Sequence, residues 1–171
     1  MENIDGSNFS LGTPAANIGL RPGIDLPVIK NEPATKGRVL VVDDEPTILL
    51  LASELLSSSG LMVETASNGL EAIEKVSKSP FDVVVTDYRM PGGISGGDLH
   101  NWIVKNITSD PPNIVFMTGD GMNEETDRFF QANECVVMFK PFEAMEFVKV
   151  IKNAWRYSSR TLARGQVSNA G

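Results

Sequence analysis

At 171 residues, 42% of them hydrophobic and 22% charged, the chain can bury one substantial core but is too short for two full domains. A net charge of −7 argues against nucleic acid or an anionic membrane as the default partner, and leaves cations or basic protein surfaces. A single cysteine, Cys135, excludes an intrachain disulfide or a zinc cluster, and no apolar run approaches the ~20 residues of a membrane span.

Residues 1–37 are rich in Gly, Pro, Asn and Ser without a sustained period, which predicts a flexible arm or linker, with IDLPVI at 24–29 as a short extended piece. The opening MENIDGSNFS lacks the basic and apolar regions of a signal peptide, so the expected compartment is the cytoplasm. A regular alternation of strand and helix then fills 38–157. The first strand covers 38–43, where Val39, Leu40, Val41 and Val42 suit a central strand buried on both faces. The first helix opens at Pro46, a residue suited to the first helical turn, and carries Ile48, Leu51, Leu55 and Leu56 up to Gly60. A second strand follows at 61–65. Asn68 with Glu71 resembles a capping box for a second helix that buries Leu70, Ile73 and Val76. The third strand is FDVVVTD, 81–87. After a Gly-rich loop, Leu99, Ile103 and Ile107 mark one face of a third helix. NIVFMT at 113–118 makes strand four, 123–132 helix four, and 136–139 strand five. Helix five runs from Phe142 through Met145, Val148, Ile151 and Trp155. The polar tail 158–171 is expected to fray.

Five βα units with short connections predict an α/β fold: a flavodoxin-like (βα)5 doubly wound parallel sheet with strand order 2-1-3-4-5. Ligands in such sheets bind beyond the carboxyl ends of the strands, at the switch point beside the central strand. Those ends carry Asp43 and Asp44, Asp87, Thr118 followed by Gly119 and Asp120, and Lys140 before Pro141. Two unit charges about 4 Å apart repel by roughly 4 kcal/mol at an effective dielectric near 20, so adjacent aspartates at a strand end call for a positive charge. A hard dication such as Mg²⁺ takes carboxylate and carbonyl oxygens together with phosphate oxygens. Asp43, Asp44, Asp87 and the backbone carbonyl of Arg89 are the candidate ligands. With the metal bound, the Asp87 carboxylate is available as a nucleophile toward a phosphoryl group, with Thr118 and Lys140 placed for the transferring oxygens. The Lys140–Pro141 peptide is a candidate for a cis bond, although trans is the ordinary expectation.

The segments VLVVDDEP, VVVTDYRMPGG, VFMTGD and VVMFKPF, in this order and spacing, resemble the receiver domain of two-component response regulators. That resemblance implies Mg²⁺-dependent acceptance of phosphate from the phosphohistidine of a histidine kinase or phosphotransfer protein, and a conformational switch read by a downstream protein. It makes Asp87 the phosphoacceptor, Asp43 and Asp44 the metal-binding acids, Thr118 the switch hydroxyl and Lys140 the lysine of the motif. It also implies a signalling domain, a monomer or weak dimer, in place of a turnover enzyme, with no nucleic-acid or membrane contact by this chain. The long arm and the VFMTGD wording of strand four are similar to receivers of hybrid histidine kinases.

Two features depart from the family pattern. Val137 stands three residues before the lysine, where an aromatic is usual, and MPGGISGG is one residue longer than the common loop, which could move the start of helix three. Asp120 and Arg89 are expected to pair across the mouth of the site. His100, the single histidine, reads as a surface or interface residue, and Phe129, Phe130 and Trp155 as core or rim packing. The competing enzyme class is an aspartate-nucleophile phosphatase of the haloacid-dehalogenase type, whose D-x-D motif DDEPT does not match. An FMN-binding flavodoxin would need a phosphate loop where this chain has two aspartates, which would repel the phosphate.

Overall fold

The computed structural model describes residues 36–119 and 124–158. The expected arm up to Thr35, the tail from Ser159, and Asp120 with its expected pairing to Arg89 lie outside the described residues. Five parallel strands, β1 (Arg38–Val42), β2 (Met62–Ala66), β3 (Val83–Asp87), β4 (Asn113–Thr118) and β5 (Val136–Phe139), form one sheet in the order β2-β1-β3-β4-β5. The helices between and after them are α1 (Pro46–Ser58), α2 (Gly69–Lys78), α3 (Gly96–Asn106), α4 (Glu124–Ala132) and α5 (Ala144–Arg156). The α/β flavodoxin-like expectation and its strand order hold.

Burial explains why the strands read so clearly. Every residue of β3 is buried, and β1 is buried from Val39 to Val42. Side chains alternate between the faces of the sheet. Val39, Val41, Val83, Val85, Val115 and Met117 pack with Leu56 of α1 and Phe147, Ile151 and Trp155 of α5. Leu40, Val42 and Val84 pack on the opposite face with Val76 of α2 and Leu99 and Ile103 of α3. Strand β2, at the edge, alternates instead, with Met62 and Glu64 exposed.

Part of the expected apolar face of α1, α2 and α5 is turned outward. Leu51 and Leu70 are exposed, and Met145 is 87% exposed. Ala52 and Ala72 lie buried against the strands. A helix axis can come close to a sheet only where its contact residues are small, and the larger residues one position away are then turned outward. In α5 the buried stripe is Phe147, Ile151 and Trp155, so Met145 falls off the face.

Helix ends show a similar contrast. Asn68 accepts the Glu71 N–H as expected, but the Glu71 carboxylate reaches back to the N–H of Ser67 rather than of Asn68. The full reciprocal box belongs to α3: the Ser95 hydroxyl accepts the Asp98 N–H, and the Asp98 carboxylate accepts the Ser95 N–H. Replacing an N-cap serine by alanine typically costs about 1 kcal/mol. Ser95→Ala should therefore lower the unfolding free energy by about that amount, seen in a urea titration as a lower midpoint at unchanged slope.

Gly37 and Ser158, next to the expected boundaries, make backbone hydrogen bonds to the sheet and to α5, respectively. The Gly37 carbonyl accepts the N–H of Met62, and the buried Ser158 donates its N–H to Trp155 O. Cys135 is half-buried, and burial pushes its thiol pKa up to about 11, so it stays protonated at neutral pH.

Candidate functional site

Continuous pairing of β1, β3, β4 and β5 brings the predicted residues to one edge. The ladders run past the strand ends: Asp43 N–H donates to Ala66 O, Tyr88 N–H to Met117 O, and Lys140 N–H to Thr118 O at 2.7 Å. Residues 97 positions apart in sequence are thus placed in contact. The Lys140 ammonium donates to Asp43 Oδ2 at 2.7 Å and lies 3.3 Å from Asp87 Oδ1. The Lys140–Pro141 peptide is cis.

Asp43 is wholly buried, and its other carboxylate oxygen accepts the backbone N–H of Glu45 at 2.9 Å. A buried carboxylate held by an ammonium and a backbone donor is a satisfied one. Asp87 is less comfortable. Burial raises its pKa above the ordinary aspartate value, Lys140 opposes that rise, and the charges of Asp43 and Asp44 add to it. For Lys140, burial acts to lower the pKa, but the hydrogen bond to Asp43 and the negative charge of Asp87 outweigh it and leave the ammonium favoured. Among the described residues the Lys140 ammonium therefore faces the carboxylates of Asp43, Glu45 and Asp87.

The remaining expected residues take positions around this core. Asp44 is exposed, one residue beyond Asp43. Thr118, buried, ends β4 one residue past the partner of Asp87. Arg89 is exposed in the loop after Asp87. The sequence reading missed Glu45, whose carboxylate lies 3.7 Å from the Lys140 ammonium and whose N–H holds Asp43. It is the third acid of the run DDE, but its contacts run through a backbone N–H and a lysine far along the chain.

The loop after β3 turns on two glycines before α3 begins. Gly92 and Gly93 adopt φ of 84° and 158°, values that favour glycine, ahead of the Ser95 cap. At Gly96 the helix comes so close to β3 that a Cβ would lie 2.2 Å from the Asp87 carbonyl oxygen. The first turn of α3 is thereby packed directly against the backbone of Asp87.

His100 is buried, contrary to the expected surface position. Its ring meets Phe129 of α4 edge-on at 5.4 Å and tilts toward Phe116 of β4 at 6.0 Å. The cause is the aromatic content of α4, which covers this part of α3.

The donor set suits Mg²⁺. Among the described residues, no three acid or imidazole side chains converge into a ready-made cage. Mg²⁺ does not need one, since it retains waters and binds through one or two carboxylates plus phosphate oxygens. Asp87 is strained chiefly by burial and further by the charges of Asp43 and Asp44, and a dication held by these carboxylates would relieve that second contribution, so the residues fit it.

The family model described as response regulator receiver domain matches residues 39–152. The transcription factor SKN7 of Saccharomyces cerevisiae is 33% identical over 104 residues, covering 61% of this chain and 16% of its own. The sensor histidine kinase GacS of Pseudomonas protegens is 32% identical over 117 residues, covering 67% and 13%. This chain thus spans a small part of the length of both relatives. Among solved structures, the chemotaxis protein CheY4 of Vibrio cholerae superposes with a TM-score of 0.64 at 27% identity, over 70% of this chain and 99% of that one. A receiver domain from Clostridium thermocellum gives 0.60 at 31%, over 70% and 94%. The sheet order agrees with these folds, and with the family model matching residues 39–152 the chain belongs to the response regulator receiver domain family.

Proposed function

We propose that Asp87 accepts a phosphoryl group from the phosphohistidine of a histidine kinase or phosphotransfer protein, and that the resulting aspartyl phosphate changes the contacts this domain makes. The observation that carries this reading is the Lys140 ammonium spanning Asp43 and Asp87, at 2.7 and 3.3 Å, beside a carboxylate whose pKa is raised by burial and by its acidic neighbours. One Asp87 oxygen attacks phosphorus, and the phosphorus–nitrogen bond breaks with its electron pair returning to the imidazole. Lys140 neutralises charge on the transferred group, and Thr118 presents its hydroxyl from the end of β4. Asp43, Asp44, Asp87 and the Arg89 carbonyl would hold Mg²⁺, which when bound supplies further neutralisation of the phosphoryl oxygens.

Each chain takes up one phosphoryl group instead of turning over substrate, so its role is signalling. The haloacid-dehalogenase alternative draws no support from the family or the fold. Among the described residues no helix is long and apolar enough to cross a membrane. The net charge of −7 supports contacts with proteins over nucleic-acid binding, and on this reading the domain acts in the cytoplasm as a monomer or weak dimer. The downstream partner is a protein that distinguishes the two states.

With acetyl phosphate and magnesium, intact-protein mass spectrometry should show one added phosphoryl group that decays slowly. Asp87→Asn should show none. Equal labelling of the variant, or sustained release of phosphate from phosphomonoesters, would reject the reading.

A further inference from the structure

Tyr88 follows Asp87 directly and lies in the same register of side chains as Val84 and Thr86, on the α3–α4 face of the sheet. Its backbone N–H is held by Met117 O, the residue before Thr118. Its ring contacts Phe116 at 5.8 Å, Phe129 at 5.5 Å and Phe130 at 4.9 Å. Its hydroxyl is hydrogen-bonded to the buried Thr126. Three of these four partners, Thr126, Phe129 and Phe130, belong to α4. Gly97 of α3 leaves room for the ring, since a Cβ there would come within 3.2 Å of it. On β5 the residue paired with Phe116 is Val137, which is half-buried and offers no ring to this cluster.

We propose that Tyr88 is the positioning residue that carries the state of Asp87 to α4, doing from β3 what Val137 cannot do from β5. The inference rests on Asp87 being the phosphoacceptor. Any backbone adjustment at a phosphorylated Asp87 passes through one peptide bond to Tyr88. There an aromatic ring and a hydroxyl transmit it to three residues on one helix. Aromatic edge contacts of this kind have preferred geometries, so the cluster resists gradual deformation and responds by repacking.

Beryllofluoride with magnesium, applied to the full chain, serves as the probe, and two signals are followed. The ¹⁹F resonance reports occupancy of Asp87, and hydrogen exchange reports protection of α4, residues 124–132. The native chain should show both the resonance and a change in α4 exchange. Tyr88→Leu should keep the resonance and lose the α4 change at least about fivefold. Tyr88→Phe, which keeps the ring and the fold, should reduce it about twofold, and Thr126→Val should do the same without adding to Tyr88→Phe. Variants that bind beryllofluoride and alter α4 exchange as the native chain does would overturn the role of Tyr88. So would a native chain that binds the probe with no change in α4. Failure of the native chain to bind it at all would instead refute Asp87 as acceptor, and this inference with it.

Discussion

Lys140→Met should destabilise the domain by about 3 kcal/mol, because it leaves a buried carboxylate without its counter-ion. Asp43 has no exposure and receives the lysine at 2.7 Å, while Asp87 stands 3.3 Å from the same ammonium. Removing the cation leaves both negative charges at the end of the sheet, where among the described residues Asp43 keeps the Glu45 N–H. For a domain of this size the loss corresponds to a fall in Tm of about 10 °C, readable by calorimetry. Pairing the change with Asp43→Asn should recover more than half of it, since the most buried charge is then gone as well. A Lys140→Met protein within about 1 kcal/mol of the native chain, or a double variant no better than the single, would show that the ion pair does not govern stability. The same substitution should slow labelling by acetyl phosphate by at least about tenfold, the scale of losing one charge-stabilising contact in the transition state.

Asp87→Asn should act in the opposite direction on stability while abolishing phosphorylation. Burial raises the pKa of Asp87, with Asp43 and Asp44 reinforcing it against Lys140. The folded state therefore holds that proton more tightly than the unfolded chain does. The contribution is fully present below the ordinary aspartate value of 3.8 and is lost as pH rises through the higher folded value. At neutral pH the native protein thus carries an unfavourable charge that asparagine removes. Solvent at the mouth of the site screens part of it, which keeps the gain near 1 kcal/mol, or about 3 °C in Tm. The advantage of Asp87→Asn should be greatest near pH 7 and close as the pH falls below the ordinary aspartate value. An advantage that stays constant over this range, or a variant less stable than the native chain at pH 7, would contradict the charge argument. Residues that serve chemistry at the expense of stability are expected at functional sites.

The strands and the site were legible for the same reason. Burial on both faces leaves continuous apolar runs such as Val39–Val42 and Val83–Val85, and a run that ends in Asp43 or Asp87 announces where the sheet stops. Helix faces were read less well. Leu51, Leu70 and Met145 match an apolar period, but contact with the sheet goes to Ala52, Ala72 and Phe147, because the closeness of helix to sheet is a tertiary quantity. His100 was misplaced because its cover, Phe129, comes from a helix about thirty residues later. Glu45 was overlooked because its part in the site runs through a backbone N–H and a lysine that follows β5, neither visible in the motif DDE.

Gly37 and Ser158 both lie close to Trp155: a Cβ on Gly37 would sit 2.6 Å from the indole nitrogen, and Ser158 binds the Trp155 carbonyl. The polypeptide thus enters and leaves through one small doorway at the pole of the sheet away from Asp87. A unit wired in this way can be spliced between other segments, or permuted by joining its old ends, with little disturbance at the opposite pole. Cargo hung on either side of that doorway would leave the acidic pole free to meet a visiting protein.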